Sequence, residues 1–159
     1  MSFDDWLLAL HLLSAFALVG AMTIFSILVV AGWREERPRH VLSFLSTSKI
    51  ATVLVSVGSL GTLVFGVWLA FSVGNYDIWD GWIIAAIVLW AVGTELGRRS
   101  GVVYAPVAER ARELLTTSPD EPSPELGALL RSRQALWLHI GASVAVLAVL
   151  ALMIWKPGA

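Results

Sequence analysis

Charged residues in this chain come in clumps, and the stretches between the clumps decide what it can fold into. Trp6 to Trp33 contains no Asp, Glu, Lys or Arg, and neither do Ile50 to Tyr76, Gly81 to Thr94 and Gln134 to Trp155. A helix crossing a bilayer needs roughly 17–25 predominantly apolar residues. Three stretches are long enough outright, and the third becomes so by running past Glu95 to Gly97. None alternates apolar and polar residues with the two-residue period of a membrane β-strand. The expected fold class is all-α: a polytopic membrane protein with four transmembrane helices in an up-down bundle. It reads as one domain over 1–159, with spans at about 6–33, 46–74, 79–99 and 134–156. Composition supports this, because 14% charged residues are too few to coat a water-soluble globule when 57% are hydrophobic.

The opening Met-Ser-Phe-Asp-Asp-Trp is acidic where a signal peptide is basic. Its apolar run also exceeds an h-region of about 7–15 residues. A retained span is expected. Ten of the eleven basic residues fall in two connections: Arg34, Arg37, Arg39 and Lys49 in the first, and six arginines between Arg98 and Arg133 in the other. Lys156 alone accompanies Asp4, Asp5, Asp77 and Asp80 on the opposite side. Basic loops stay inside, which predicts a bacterial cytoplasmic membrane protein with both termini outside and loops 34–49 and 98–133 cytoplasmic. Trp6, Trp79, Trp82 and Trp155 then form an outer aromatic belt, and Trp33 and Trp137 an inner one.

Beyond the third span, Val103, Val107, Ala111 and Leu114 keep helical spacing, as do Leu126, Leu129 and Leu130. Pro119 and Pro122 break the pattern between them, and Ser123-Pro124-Glu125 reads as an N-cap with proline at N1. Helices three and four are therefore expected to project as a cytoplasmic hairpin over about 100–133. Inside the bilayer, helices associate through small residues and polar contacts. Candidate faces are Ser48, Thr52, Ser56, Ser59, Gly66 and Ala70 with Gly58 and Gly61 on helix two, Gly93-xxx-Gly97-xxx-Gly101 on helix three, and Gly141, Ala145 and Ala148 on helix four.

Few groups offer chemistry. Net charge is −1, which provides no electrostatic footprint for nucleic acid. Absence of cysteine removes disulfides, thiol nucleophiles and iron–sulfur ligation. What remains near membrane depth is His11, Glu95 and His139, with His40 and Lys49 at the inner edge. His11 lies about 9 Å below the outer surface by helical rise, and His139 as far from the inner one. On this reading they do not share one iron. His11 with Met153 is the candidate pair for haem, since haem iron accepts His/Met ligation. Glu95, His139 and His40 form a candidate inner-face metal or proton cluster. Glu95 is also placed to pair with Arg98 and Arg99 at i+3 and i+4.

Trp6-Leu-Leu-Ala-Leu-His11-Leu-Leu-Ser-Ala followed by Gly20-Ala21 resembles the opening of the copper-resistance-D-like membrane proteins. Gly58-Ser-Leu-Gly61-Thr-Leu-Val-Phe-Gly66-Val-Trp-Leu-Ala, then Asp80-Gly81-Trp82 and Val103-Tyr104-Ala-Pro106, is similar to an uncharacterised bacterial integral-membrane family in that neighbourhood. The resemblance implies a bacterial cytoplasmic membrane and a four-helix core. It also implies copper handling or, by similarity to membrane protoporphyrinogen oxidases, haem b at a helix-one histidine, a position that only His11 matches.

The leading functional expectation is a non-enzymatic accessory or assembly subunit, or a homo-oligomer, in contact with the lipid bilayer. One alternative is a haem- or copper-binding protein using His11. A second is a proton-coupled small-solute transporter using Glu95.

Overall fold

The computed structural model describes residues 2–73 and 79–157. The connection 74–78, including Asp77 of the expected outer turn, lies outside the described residues. Among the described residues the regular structure is helical: α1 (Phe3–Gly32), α2 (Pro38–Val73), α3 (Gly81–Thr117), α4 (Pro124–Leu130) and α5 (Arg133–Trp155). Four helical stretches are long and apolar enough to cross a membrane, the last being α4 continued into α5.

The start of α1 is fixed by a capping box. Ser2 Oγ accepts from the Asp5 N–H at 3.2 Å, and the Ser2 N–H donates to the Asp5 carboxylate at 2.6 Å. Ser72 donates to Asp4, and Phe3 tilts against Trp68 at 5.7 Å, so the open end of the α1–α2 hairpin is tied. At the far end of α5, Lys156 takes a left-handed conformation (φ 40°) that stops the helix and places its ammonium 6.0 Å from the Trp82 ring. Trp82 is thereby buried within the protein, whereas Trp6, Trp79 and Trp155 are exposed as a lipid-facing belt requires.

Two tight hairpins, α1 with α2 and α3 with α5, make up the bundle. Contact between them is thinner: α2 meets α3, and α1 meets α5 only locally. The α1–α2 seam runs along Leu7, His11, Leu18 and Ala21, a three-and-four spacing that keeps one face toward a partner helix. Gly58 makes this approach possible, because a β-carbon there would sit 2.6 Å from the Leu18 nitrogen. The α3–α5 seam repeats every seven residues through Ala86, Gly93, Ser100 and Val107. Facing it are Ala135, Ala142, Ala145 and Val149. Lipid provides no hydrophobic drive between helices, so small side chains that let backbones approach hold such seams together by van der Waals contact.

This packing corrects two sequence expectations. Gly97 and Gly101 do not continue the Gly93 seam: they are exposed, with open space where a β-carbon would lie. A four-residue step advances 400° around a helix and drifts off the face, while a seven-residue step advances 700° and nearly returns to it. The expected stripe on α2 also divides. Gly58, Thr62 and Gly66 turn to α1, Ser59 meets Trp90 of α3, and Thr52 and Ser56 are exposed, donating to their own i−4 carbonyls.

At the α4 end, α2 and α4 depart from the expected bounds, while α3 extends into the expected 100–133 region. α2 begins at Pro38, well before residue 46, because Val41, Leu42 and Leu45 have apolar partners beyond the span. α3 continues unbroken through Pro106 to Thr117, about 55 Å at helical rise. α4 is only seven residues long and is separated from α5 at Arg131 and Ser132. Ser132 caps α5 by accepting from the Ala135 N–H at 3.3 Å.

Candidate functional site

The most complete cluster of buried apolar side chains stands at the α4 end of the molecule. Val41 from α2, Val107 and Ala111 from α3 and Leu126 from α4 are all at most 1% exposed. Leu42, Leu45, Tyr104, Leu129 and Leu130 pack around them. Burying a leucine such as Leu126 stabilises by about 1.5–3 kcal/mol, which a seven-residue helix needs because it is far below the length that holds by itself in water. Ser123 starts α4 by capping Leu126 N–H at 3.4 Å, with Pro124 at the first turn, as expected from sequence.

Polar contacts clasp this lid to the α1–α2 turn. Ser123 N–H donates to the Glu36 carbonyl at 2.9 Å, and Arg39 N–H to the Pro119 carbonyl at 3.2 Å. Glu36 pairs with Arg131 at 2.9 Å, Arg39 with Asp120 at 3.3 Å and Arg110 with Glu125 at 2.7 Å. These exposed pairs add little energy individually, but they fix which way the lid lies. Gly127 lies beneath one of them: a β-carbon there would fall 2.8 Å from the Glu36 carboxylate and 2.7 Å from the Arg131 guanidinium, two flexible side-chain ends that would have to shift. A glycine inside a short helix was the sequence signal for this contact.

His11 is 7% exposed and held in the α1–α2 seam. Its Nδ1 lies 3.0 Å from the Thr62 carbonyl oxygen, which can only accept, so Nδ1 carries the proton and donates. The ring rests on Gly66, where a β-carbon would come within 2.8 Å of Cε1. The Nδ1–H arrangement leaves the Nε2 lone pair unprotonated, the state in which a histidine ligates a metal while its other nitrogen donates to a carbonyl. Met153 belongs to α5, whose main partner is α3, rather than to the α1–α2 seam that holds His11.

His139 joins the two hairpins. Ser26 donates to the Met22 carbonyl at 2.9 Å, so its oxygen accepts from His139 Nε2–H at 2.9 Å. Ser26 lies on α1 fifteen residues beyond His11, about 22 Å along the helix, so the two histidines occupy separate levels as sequence spacing indicated. Both Ser26 and His139 are six residues from the α4-side ends of their helices, which puts them at one level across the two hairpins. In membrane bundles such a bond is worth about 0.6 kcal/mol on average, up to about 1.7. A double-mutant cycle of Ser26→Ala and His139→Phe, read by thermal unfolding in detergent, should return a coupling in that range. Additive losses would show that the bond does not join the hairpins.

The residues of the expected inner-face cluster have different partners. Glu95 is exposed and bonded to Arg98 at 2.8 Å and Arg99 at 2.7 Å, the expected i+3 and i+4 pairs. His40 lies 3.0 Å from Glu35. Burial pushes the Glu35 carboxyl up, but the Arg37 N–H, the His40 ring and the Glu36 N–H outweigh it and hold it below the ordinary glutamate range. His139 is with Ser26. Among the described residues, no three His, Asp or Glu side chains form a group able to hold a metal ion. Trp90 donates its indole N–H to the Ser59 hydroxyl at 2.8 Å and ties α3 to α2.

A family model described as "Predicted integral membrane protein (DUF2269)" matches residues 5–157. The match is to that family and not to the copper-resistance-D-like proteins that the opening of helix one resembles. No curated protein and no solved structure matches the chain.

Proposed function

The chain belongs to the DUF2269 family of predicted integral membrane proteins, and on that premise we propose that it acts as a non-catalytic accessory or assembly subunit, or as a homo-oligomer, presenting its lid to a partner. The observation that carries this reading is the clasped α4 end. Close apolar packing and three inter-element ion pairs hold the lid rigid outside the spans, and a rigid surface loses little entropy on binding. The arginine distribution supports an orientation with this end in the cytoplasm, both termini outside, and a bacterial cytoplasmic membrane as the setting. Light scattering and mild-detergent co-purification test the reading together. A higher-order particle, or a stoichiometric second chain lost on Leu126→Asp, is expected; a monomer that never carries another chain would sink it.

A second reading has one observation in its favour. His11 donates through Nδ1 to a backbone carbonyl, leaving Nε2 available as a ligand atom for haem or copper. Mildly purified protein should then show a Soret band or stoichiometric copper that His11→Ala abolishes. Full occupancy in that variant would dispose of the His11 role.

A further inference from the structure

Cations at the α4 end divide into two sets. Arg39, Arg98, Arg99, Arg110 and Arg131 each meet a carboxylate. Arg34 and Arg37 in the α1–α2 turn, Arg112 in the outer part of α3 and Arg133 at the start of α5 are exposed and carry no ion pair among the described residues. The nearby acids are already engaged. Glu35 accepts from two backbone N–H groups and contacts His40, and Glu36 pairs with Arg131.

Arg34, Arg37 and Arg133 stand where the α1–α2 turn and the start of α5 come together. A β-carbon on Gly32 would lie 3.6 Å from the Leu130 side chain, and the Glu36–Arg131 pair closes the same junction. Arg133, Trp137, Ile140 and Val144 recur at three- and four-residue steps and so share one face of α5. Trp137 is 69% exposed, and Ile140 and Val144 below it are exposed too. Trp33 and Arg34 end α1 in the same order, an interfacial aromatic and then a cation. Each helix thus presents an apolar surface, then a tryptophan, then an arginine that carries no ion pair among the described residues.

We propose that this junction binds an anionic phospholipid, with its phosphate held by Arg34 and Arg133, Arg37 alongside, and an acyl chain along the Trp137–Ile140–Val144 face. The guanidinium fork matches phosphate oxygens in pairs, and basic juxtamembrane groups attract anionic headgroups. Charge complementarity selects the occupant: three cations without carboxylates attract an anion, and the contiguous apolar surface beside them favours an anion that brings hydrocarbon. The inference rests on the chain's residence in a membrane and stands whichever partner the lid takes.

The test is native mass spectrometry of the full chain titrated with phosphatidylglycerol or phosphatidylcholine, with helicity followed by circular dichroism. Wild type should retain phosphatidylglycerol in preference. The Arg34→Gln/Arg133→Gln pair should weaken that retention roughly thirtyfold, about fivefold per cation. Arg34→Lys/Arg133→Lys, which keeps the charge, should stay within about fivefold of wild type. Arg112→Gln, which removes a cation from the outer part of α3, should change nothing. Equal retention of the two lipids by wild type would overturn the proposal, as would wild-type phosphatidylglycerol affinity in the glutamine pair.

Discussion

Gly58→Leu is expected to force α1 and α2 apart and to be among the most destabilising single changes in the spans. The first added atom would fall 2.6 Å from the Leu18 nitrogen and 2.8 Å from the Ser14 carbonyl oxygen. Both are backbone atoms of a continuous helix, so no side-chain rotation relieves the overlap. Overpacking costs about 1–3 kcal/mol where neighbours can adjust, and this site should lie at the top of that range. A loss of about 3 kcal/mol corresponds to roughly 6–12 °C in Tm for a chain of this size. Gly61 provides an internal comparison: the atom its β-carbon would meet first is the Ser14 hydroxyl, which can rotate away, so Gly61→Ala should cost less. Gly97→Ala and Gly101→Ala open onto free space and should raise stability by about 0.5–1 kcal/mol each, the helix cost of glycine. Circular-dichroism melts in one detergent would rank all four. Equal melting of Gly58→Leu and wild type would show that the α1–α2 seam is not as close as described.

Leu126→Ala should release the lid while leaving the spans intact. Leu126 is fully buried between α2 and α3, and removing a buried leucine side chain costs about 2–5 kcal/mol. A seven-residue helix has little else to hold it. Hydrogen exchange should therefore lose protection across 123–131 and in the last turns of α3, with protection around the α1–α2 seam unchanged. Arg131→Gln, which removes only an exposed ion pair, should shift the same amides by no more than about 1 kcal/mol. Unchanged exchange in Leu126→Ala would mean that α4 is held by something other than its apolar face.

Several parts of this arrangement were readable before any coordinates. The four helices follow from charge-free length alone, because the bilayer tolerates no unpaired backbone and few charges. The Ser123-Pro124 start of α4 and the Glu95–Arg98–Arg99 pairs are local, set by neighbours three or four residues away. The separation of His11 from His139 followed from counting residues along helices. Burial of Trp82 under Lys156 was not readable, because it depends on where α5 ends against α3. Nor was the pairing of Arg39 with Asp120 or Glu36 with Arg131, which joins segments far apart in sequence.

That this chain is a helical membrane protein, and where its apolar stretches and local caps lie, follows from the order of its residues. Those properties depend on composition over a helix length and on spacing within one or two turns. Which small residues face a neighbouring helix and which face open space was set by how the helices pack. Gly58 and Gly93 became close contacts while Gly97 and Gly101 did not, because the seam follows the seven-residue repeat of two packed helices. A glycine carries no side chain to reveal its direction. Tertiary structure likewise divided the arginines: Arg39, Arg110 and Arg131 found carboxylates on other elements, while Arg34, Arg37, Arg112 and Arg133 carry no ion pair among the described residues, and charge partners across such distances are set by packing.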